Sequence, residues 1–275
     1  MLRKRVVTAL VGIPIVILAV WFDEPLPWLT ILAALYGMLA VREFYRITGV
    51  AKLRPLTIFG LTWTLLFIIQ PHCPDSRSLP VLLTSGVALS LILLVFLSRE
   101  EGAFQHWAWM MAGILYAGWL LGLLVALRLE PGTATFPNAG RNFVFLALFA
   151  TFASDSAAYF IGKTFGRHKL APHVSPGKTW EGAVAGVCGA VIISLLFTLA
   201  TPLQLPISYG QAIILGALIS VFGQTGDLAE SLLKRNTGVK DSGNLMPGHG
   251  GLLDRMDSIV FAGAVVYMYY VFIVA

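Results

Sequence analysis

Charged residues are scarce in this chain: Asp, Glu, Lys and Arg together make up 12% of its 275 residues. A soluble globular domain carries about 25%, so the composition argues against a soluble protein. Cysteine is also rare, since Cys73 and Cys188 are the two in the sequence, which excludes a disulfide framework and a cysteine-ligated metal site. Hydrophobic residues make up 57%, in repeated runs near the length of a bilayer crossing. The chain is therefore expected to be an integral membrane protein.

The apolar runs predict an all-α fold, a polytopic membrane bundle of about nine transmembrane helices. The third run is short, so we expect it to be tilted or extended at its ends. Arg3-Lys4-Arg5 precedes the first run as in a signal peptide, but no small-residue cleavage site stands out before Asp23, and a retained helix is expected. The approximate crossings are residues 6–22, 27–47, 56–70, 79–98, 107–128, 142–162, 181–201, 209–232 and 257–274.

The cationic residues predict the orientation of the bundle, with the N-terminus in the cytosol and the C-terminus outside. In that topology all of the 19 Lys and Arg residues except Arg77, Arg128 and Arg141 lie in cytosolic segments, as the positive-inside rule expects. The net charge of +5 is therefore assigned to topology, and nucleic acid is not an expected partner. Two long loops, at about 163–180 and 233–256, then share the cytosolic side.

Chemically directed polar residues concentrate in the C-terminal half, above all between Ser231 and Asp257. Cations can hold phosphate oxygens, a Gly-rich turn offers backbone N–H groups to an anion, and closely spaced carboxylates can hold a divalent metal. These are the needs of phosphoryl or nucleotidyl transfer. Residues 141–275 are therefore expected to carry a cytosol-facing catalytic site, and residues 1–140 to form scaffold helices. In order, the stretch contains Lys234, Arg235, Lys240, His249-Gly250-Gly251, Asp254-Arg255 and Asp257.

Three carboxylates are candidate metal ligands: Asp227, Asp254 and Asp257. Asp227 lies within the eighth apolar run, where an ionisable residue is a functional candidate by default, and helical spacing puts it on one face with Ser231 and Lys234. The alternative is a structural Asp paired with a neighbouring cation. Asp254 and Asp257 project from the same side of the ninth helix, although the helix dipole alone can explain one acid there.

The other long loop contains the sequence SPGKTWEG, in which a Pro-Gly turn delivers Lys178 to a helix start. Such a turn suits phosphate, with Ser175 as a further donor. Its spacing is not that of a P-loop, and a lysine in a cytosolic loop also fits topology alone. Glu181 can act there or merely provide the negative charge that a helix start favours.

Other polar residues are candidates with open alternatives. Asp155 is a second intramembrane acid, which either acts directly or orients a Lys or a metal ligand. Tyr159 shares its helical face with Ala158 and Gly162, and a small-residue packing seam explains the Ala and Gly positions equally well. His249, between glycine and glycine, is expected to be a turn residue that donates to phosphate rather than a general base. Arg42 and Glu43 are expected to form an interfacial pair.

The run SLLKRNTGVKDSGNLMPGHGGLLDRMD resembles the signature of the CDP-diacylglycerol synthases, also called phosphatidate cytidylyltransferases. SPGKTWEG and the segment from Ser154 to Gly166 also resemble family features, so the resemblance covers roughly residues 150–275. Met246, where the family usually has Leu, Ile or Phe, is a mild departure. The matching positions are Ser231, Lys234, Arg235, Lys240, Asp241, Pro247, His249, Gly250, Gly251, Asp254, Arg255 and Asp257.

The resemblance implies transfer of a cytidylyl group from CTP to phosphatidic acid, giving CDP-diacylglycerol and pyrophosphate. It also implies dependence on Mg²⁺, with a second metal ion as an option, a homodimer, and the inner membrane if the source is a Gram-negative bacterium. Asp227, Asp254 and Asp257 are the expected metal ligands. The expected catalytic cations are Lys178, Lys234 and Arg235, the expected phosphate-binding residues are Ser175, Ser231, Lys240, His249, Gly250, Gly251 and Arg255, and the expected supporting residues are Asp155, Tyr159, Glu181 and Asp241.

Two other functions remain open from the sequence. A CTP-dependent polyprenol kinase or a phosphoglycosyl-type transferase needs the same chemistry, and the signature alone separates it. A transporter also carries intramembrane acids, but it is expected to show broken helices in two repeats and a midplane site. The charges of this chain gather on the cytosolic side instead.

Overall fold

The computed structural model describes residues 2–73, 75–97, 101–243 and 250–274, with side chains from residue 10 onward. Within these residues the chain forms nine long helices, two short 3₁₀ helices (Val50–Lys52 and Gln70–His72) and one two-stranded antiparallel hairpin. The helices are α1 (Leu2–Trp21), α2 (Trp28–Ile47), α3 (Arg54–Ile69), α4 (Ser78–Phe96), α5 (Ala103–Leu129), α6 (Ala139–Phe165), α7 (Trp180–Leu196), α8 (Tyr209–Asn236) and α9 (Leu253–Val274). The strands are β1 (Lys169–Ala171) and β2 (Ser175–Thr179).

The helices confirm the all-α membrane class. Among the described residues, α4, α5, α6, α8 and α9 are long and apolar enough to cross a membrane, and shorter apolar helices occupy Leu10–Trp21 and Trp180–Leu196. Each of the nine apolar runs of the sequence lies on a helix. That every one of them crosses, and the orientation of the bundle, stay predictions.

The hairpin was not expected from the sequence, which indicated a loop over residues 163–180. Helix α6 continues to Phe165, and the chain then pairs Lys169 opposite Thr179 and Ala171 opposite Ser175. A backbone hydrogen bond from Trp180 N to His168 O, 2.9 Å long, closes the hairpin. The candidate lysine of this segment therefore lies on a strand.

The chain divides into two compact units. The first comprises residues Met1–Ala126 and Thr237–Asp254, and the second comprises Leu127–Asn236 and Arg255–Ala275. The core of the first contains Tyr45 of α2, which is fully buried and donates a 3.0 Å hydrogen bond to Met110 O. Glycines on α3 and α5, Gly60 and Gly113, contact its ring, where a side chain would clash.

The second unit depends on close approach between α6 and α7. A Cβ at Gly182 would lie 2.7 Å from the carbonyl oxygen of Ala158 and 3.1 Å from the Cα of Gly162. The backbone N–H of Gly182 donates to Thr179 Oγ1 at 3.2 Å, which caps the start of α7. The small residues thus fix where α7 begins, immediately after the strand that carries Lys178.

Replacement of Gly182 by alanine is expected to destabilise the protein, because the new methyl group would clash with a backbone oxygen, which cannot move aside as a flexible side chain can. Overpacking of this kind costs about 1–3 kcal/mol, measurable as a lower thermal midpoint in detergent. Gly210, in the first turn of α8, is the matched control, since a Cβ there meets no heavy atom within 4 Å. Gly210→Ala should leave the midpoint unchanged or slightly higher, and equal midpoints for the two variants would contradict the packing described.

Candidate functional site

An ion pair connects the hairpin to helix α8. Lys178 Nζ lies 2.7 Å from Asp227 Oδ2 and also donates to the carbonyl oxygen of Gln224 at 3.4 Å. The side chains of Lys178 and Asp227 are 22% and 35% exposed, so both remain accessible to a ligand. Asp227 thus has the neighbouring cation that the structural interpretation requires, and that cation is Lys178.

Three carboxylates converge beside this pair. One oxygen each from Asp227, Glu230 and Asp257 lies within 4.8 Å of the others. The close contact between α8 and α9 explains the meeting, because a Cβ at Gly226 would clash with the carbonyl oxygen of Asp257 and come within 2.7 Å of Phe261. A residue as small as glycine next to Asp227 therefore brings the two helices together at the carboxylates.

The donor set fits a hard divalent cation such as Mg²⁺, which prefers carboxylate oxygens. Asp227 and Asp257 were predicted as ligands and are brought together. Glu230 was not predicted, although its position three residues after Asp227 places it on the same helical face. Its side chain is 1% exposed, and its Oε2 lies 2.6 Å from Lys234 Nζ. In sequence, Glu230 and Lys234 have the spacing of an ordinary helical ion pair, which concealed this position.

More charged and polar groups of the second unit surround the carboxylates. Asp155 interacts electrostatically with Asp227, Lys178 and Arg255. Ser231 Oγ donates to Asp227 Oδ1 at 3.4 Å. A chain of hydrogen bonds also joins three helices: Ser154 Oγ to Ser220 Oγ at 2.7 Å, Gln224 Nε2 to Ser220 Oγ at 2.8 Å, and Gln224 Nε2 to Ala183 O at 3.2 Å.

The hairpin is held from both sides by predicted site residues. Arg235 Nε donates to Val174 O at 3.3 Å, next to Ser175, which begins β2. Glu181 accepts from the backbone N–H of His168 at 3.2 Å, and its Oε1 lies 2.6 Å from His168 Nδ1. Arg235 therefore contacts the residue that precedes β2, and Glu181 contacts the residue that precedes β1. Tyr159 is exposed and contacts Phe160 and Lys163, whose Nζ lies 5.7 Å from its ring centre.

The remaining predicted residues belong to the first unit. Asp254 lies in the first turn of α9, and its Oδ2 accepts from the backbone N–H groups of Ser242 at 3.2 Å and Gly251 at 2.9 Å. Gly250 has a φ of +85°, the left-handed conformation that glycine adopts at no steric cost. Lys240 and Asp241 are exposed. His249, with Met246 and Pro247, lies outside the described residues. That Asp254 shares a metal with Asp227 stays a prediction.

Substitution of Glu230 by glutamine is expected to weaken divalent cation binding, because the carboxamide removes a negative charge while it keeps the shape. Mn²⁺, a paramagnetic substitute for Mg²⁺, can be titrated into the detergent-solubilised protein and followed by electron paramagnetic resonance. We expect affinity to fall by about tenfold or more. Asp75→Asn, an exposed acid of a loop in the first unit, is the control. Wild-type Mn²⁺ affinity in Glu230→Gln would remove this residue from the ligand set.

Similarity to known proteins indicates the family of this chain. A model of the cytidylyltransferase family matches residues 3–273. The chain is 33% identical to the phosphatidate cytidylyltransferase of Bacillus subtilis over 272 residues, which cover 97% of this chain and 96% of that protein. It is 34% identical to the phosphatidate cytidylyltransferase of Brucella suis over 269 residues, which cover 98% and 93%. An uncharacterized protein of Escherichia coli, YnbB, is 42% identical over 176 residues, 64% of this chain and 55% of that protein. The chain belongs to the cytidylyltransferase family.

Proposed function

We propose that this protein transfers the cytidylyl group of CTP to phosphatidic acid, giving CDP-diacylglycerol and pyrophosphate. The relatives that match nearly its full length are phosphatidate cytidylyltransferases. The observation that carries the proposal is the convergence of Asp227, Glu230 and Asp257 beside Lys178 and Lys234. Carboxylates for a metal and cations for phosphate, close together on membrane helices, suit a reaction between a nucleoside triphosphate and a lipid phosphate.

The carboxylates are the residues that would hold Mg²⁺. Asp227 and Asp257 are proposed ligands, Glu230 joins them, and Asp254 is kept as the ligand predicted from the sequence. When bound, the metal neutralises charge on the triphosphate and on the departing pyrophosphate. Because these are four carboxylates, the proposal includes a second metal ion as an option.

The cations and hydrogen-bond donors of the chain bind and orient the two substrates. Lys178 and Lys234 lie beside the carboxylates, so their ammonium groups are placed to contact phosphate oxygens. Asp155 and Glu181 keep the lysine strand and the reacting groups in position. The other proposed phosphate contacts are Ser175, Ser231, Arg235, Lys240, His249, Gly250, Gly251 and Arg255, and Asp241 and Tyr159 are proposed supporting residues.

The chemical step is an in-line displacement. An oxygen of phosphatidic acid forms a bond to the α-phosphorus of CTP, and the bond from that phosphorus to the pyrophosphate oxygen breaks. A phosphate monoester has a second pKa near 6, so the attacking phosphate is largely dianionic at neutral pH and needs no dedicated base. For this reason His249 is proposed as a donor to phosphate and not as a general base.

The cellular setting is part of the same proposal. A lipid phosphate lies at the membrane interface and CTP arrives from the cytosol, so we place the site at the cytosolic face of the bacterial inner membrane. The positive-inside asymmetry of the sequence supports this orientation. Residues 141–275 are proposed to carry catalysis, with residues 1–140 as scaffold and dimer interface of a homodimer.

Labelled CTP tests the reaction directly. With phosphatidic acid and Mg²⁺ in detergent, label in the cytosine ring should appear in the lipid, whereas label in the γ-phosphate should appear in pyrophosphate. Lipid carrying the γ-phosphate would instead identify a CTP-dependent lipid kinase. Asp227→Asn and Asp254→Asn should each abolish most turnover with thermal midpoints preserved, and Glu101→Gln is the control. Full turnover in both Asp variants would exclude their proposed metal role.

Lys178 provides a second test. Lys178→Ala is expected to lower kcat/KM by about 10²–10³-fold, because it removes a cation from developing phosphate charge. Lys178→Arg should restore part of the loss. Lys169→Ala is the matched control, since Lys169 is an exposed lysine of the partner strand in the same hairpin, opposite Thr179. Equal activities of the two alanine variants would show that Lys178 has no direct role in turnover and serves only the membrane topology and the charge of the hairpin.

A further inference from the structure

Glu43 is a buried carboxylate far in sequence from the signature stretch. Glu43 lies on α2 and is 2% exposed, in a chain with few charged groups. It was expected to pair with Arg42 at the interface, and that expectation is wrong for its carboxylate, because Oε2 accepts from Ser242 Oγ at 3.2 Å and from the backbone N–H of Leu253 at 3.0 Å. A charge is costly to bury unless it is hydrogen-bonded, and these bonds all go to the described ends of one segment, Ser242–Gly243 and Gly250–Leu253.

Helix α2 holds one peptide group of that segment at both of its polar atoms. Tyr36 Oη donates to the carbonyl oxygen of Leu252 at 3.0 Å, and the N–H of Leu253 donates to Glu43. The carbonyl of Leu252 and the N–H of Leu253 belong to the same peptide plane. Tyr36 and Glu43 are two helical turns apart on α2 and therefore share a face. The start of α9 is fixed in position and in rotation by these two side chains.

Glycines in the segment make room for the Glu43 carboxylate. A Cβ at Gly243 would clash with Glu43 Oε1, and a Cβ at Gly251 would clash with both Glu43 Oε2 and Ser242 Oγ. The two ends of the segment thus close directly on the carboxylate, with glycine on either side of it. Gly251 was predicted from the sequence as a phosphate donor, and the structure gives it this additional reason to be glycine.

The same segment orients Asp254. Its Oδ2 accepts from the N–H groups of Ser242 and Gly251. These same residues contact Glu43, because Ser242 Oγ donates to its carboxylate and Gly251 lies so close to it that a Cβ would clash. Asp254 also follows directly after Leu253, whose N–H is bonded to Glu43. We propose that Glu43 is a positioning residue that fixes the orientation of Asp254 through Ser242, Gly251 and Leu253. The role of Asp254 in turnover rests on the proposed function.

Hydrogen exchange followed by mass spectrometry tests the positioning without substrate. In Glu43→Ala, amides of residues 250–256 should exchange faster than in the wild type, while amides of the hairpin 169–179 in the other unit stay unchanged. Thr30→Ala is the matched control, since Thr30 is a buried polar residue of the same helix that hydrogen-bonds to His72 at 2.8 Å. Wild-type exchange over residues 250–256 in Glu43→Ala would overturn the inference.

Turnover gives the second measurement. Glu43→Ala should lower kcat and raise the Mg²⁺ concentration that gives the half-maximal rate. We expect the two effects combined to amount to about 10–100-fold, as for other groups that orient metal ligands. In an Asp254→Asn background the same change should have little further effect, because coupled residues are not additive. An undiminished, fully additive loss in that background would assign Glu43 to general stability and overturn the inference.

The outcomes separate this inference from the proposed function. If Glu43→Ala does not fold, Glu43→Gln, which keeps an acceptor oxygen and the side-chain shape, should show a smaller rise in exchange over residues 250–256, and no rise would overturn the inference. A wild-type protein that forms no cytidylyl lipid would overturn the proposed function and leave the exchange result intact. Normal exchange and normal kcat in Glu43→Ala, in a protein that does form the product, would overturn the role of Glu43 alone.

Discussion

The ion pair between Lys178 and Asp227, 2.7 Å long, is the interaction on which the candidate site depends. A carboxylate on a membrane helix is costly unless it has a partner or faces a polar cavity, and Asp227 lies near further acids, Glu230 and Asp257. Like charges at this separation repel one another. Lys178 and Lys234 offset that repulsion, so the lysines that we propose to contact phosphate also allow the acids to converge.

Small residues decide whether these charged groups can meet. Gly226 allows α9 to approach α8 beside Asp227, and Gly182 allows α7 to approach α6 just after the lysine strand. In a bilayer the association of helices relies on close packing, since lipid tails are as apolar as the side chains they contact. Glycine at these contacts therefore does more than reduce volume, because it sets the distance between helices that carry the site residues.

Much of the architecture was predictable because hydropathy is a local property. Each apolar run lies on a helix, and the shared face of Asp227 and Ser231 follows from helical spacing alone. The resemblance at the signature stretch is confirmed by the family match. The hairpin was missed because its strands are short and one contains Pro-Gly, a turn signal. Glu230 was missed because it resembles the partner of an ordinary helical pair with Lys234. Glu43 was misread because Ser242 is 199 positions away in sequence, and no local pattern reports such a contact.

The polar groups of this chain are better explained by position than by stability. A buried carboxylate can often be replaced by an apolar residue of similar size with little loss of stability, so stability alone does not explain why Glu43 is buried. Its bonds to Ser242 and Leu253 remove the freedom of the residues that hold Asp254. A carboxylate held by backbone N–H groups before substrate arrives needs little reorganisation during reaction, which is where electrostatic catalysis gains most. The hydrogen bonds at Glu43 and the ion pair at Lys178 thus have the same effect in their respective units: the first orient Asp254, and the second holds Asp227.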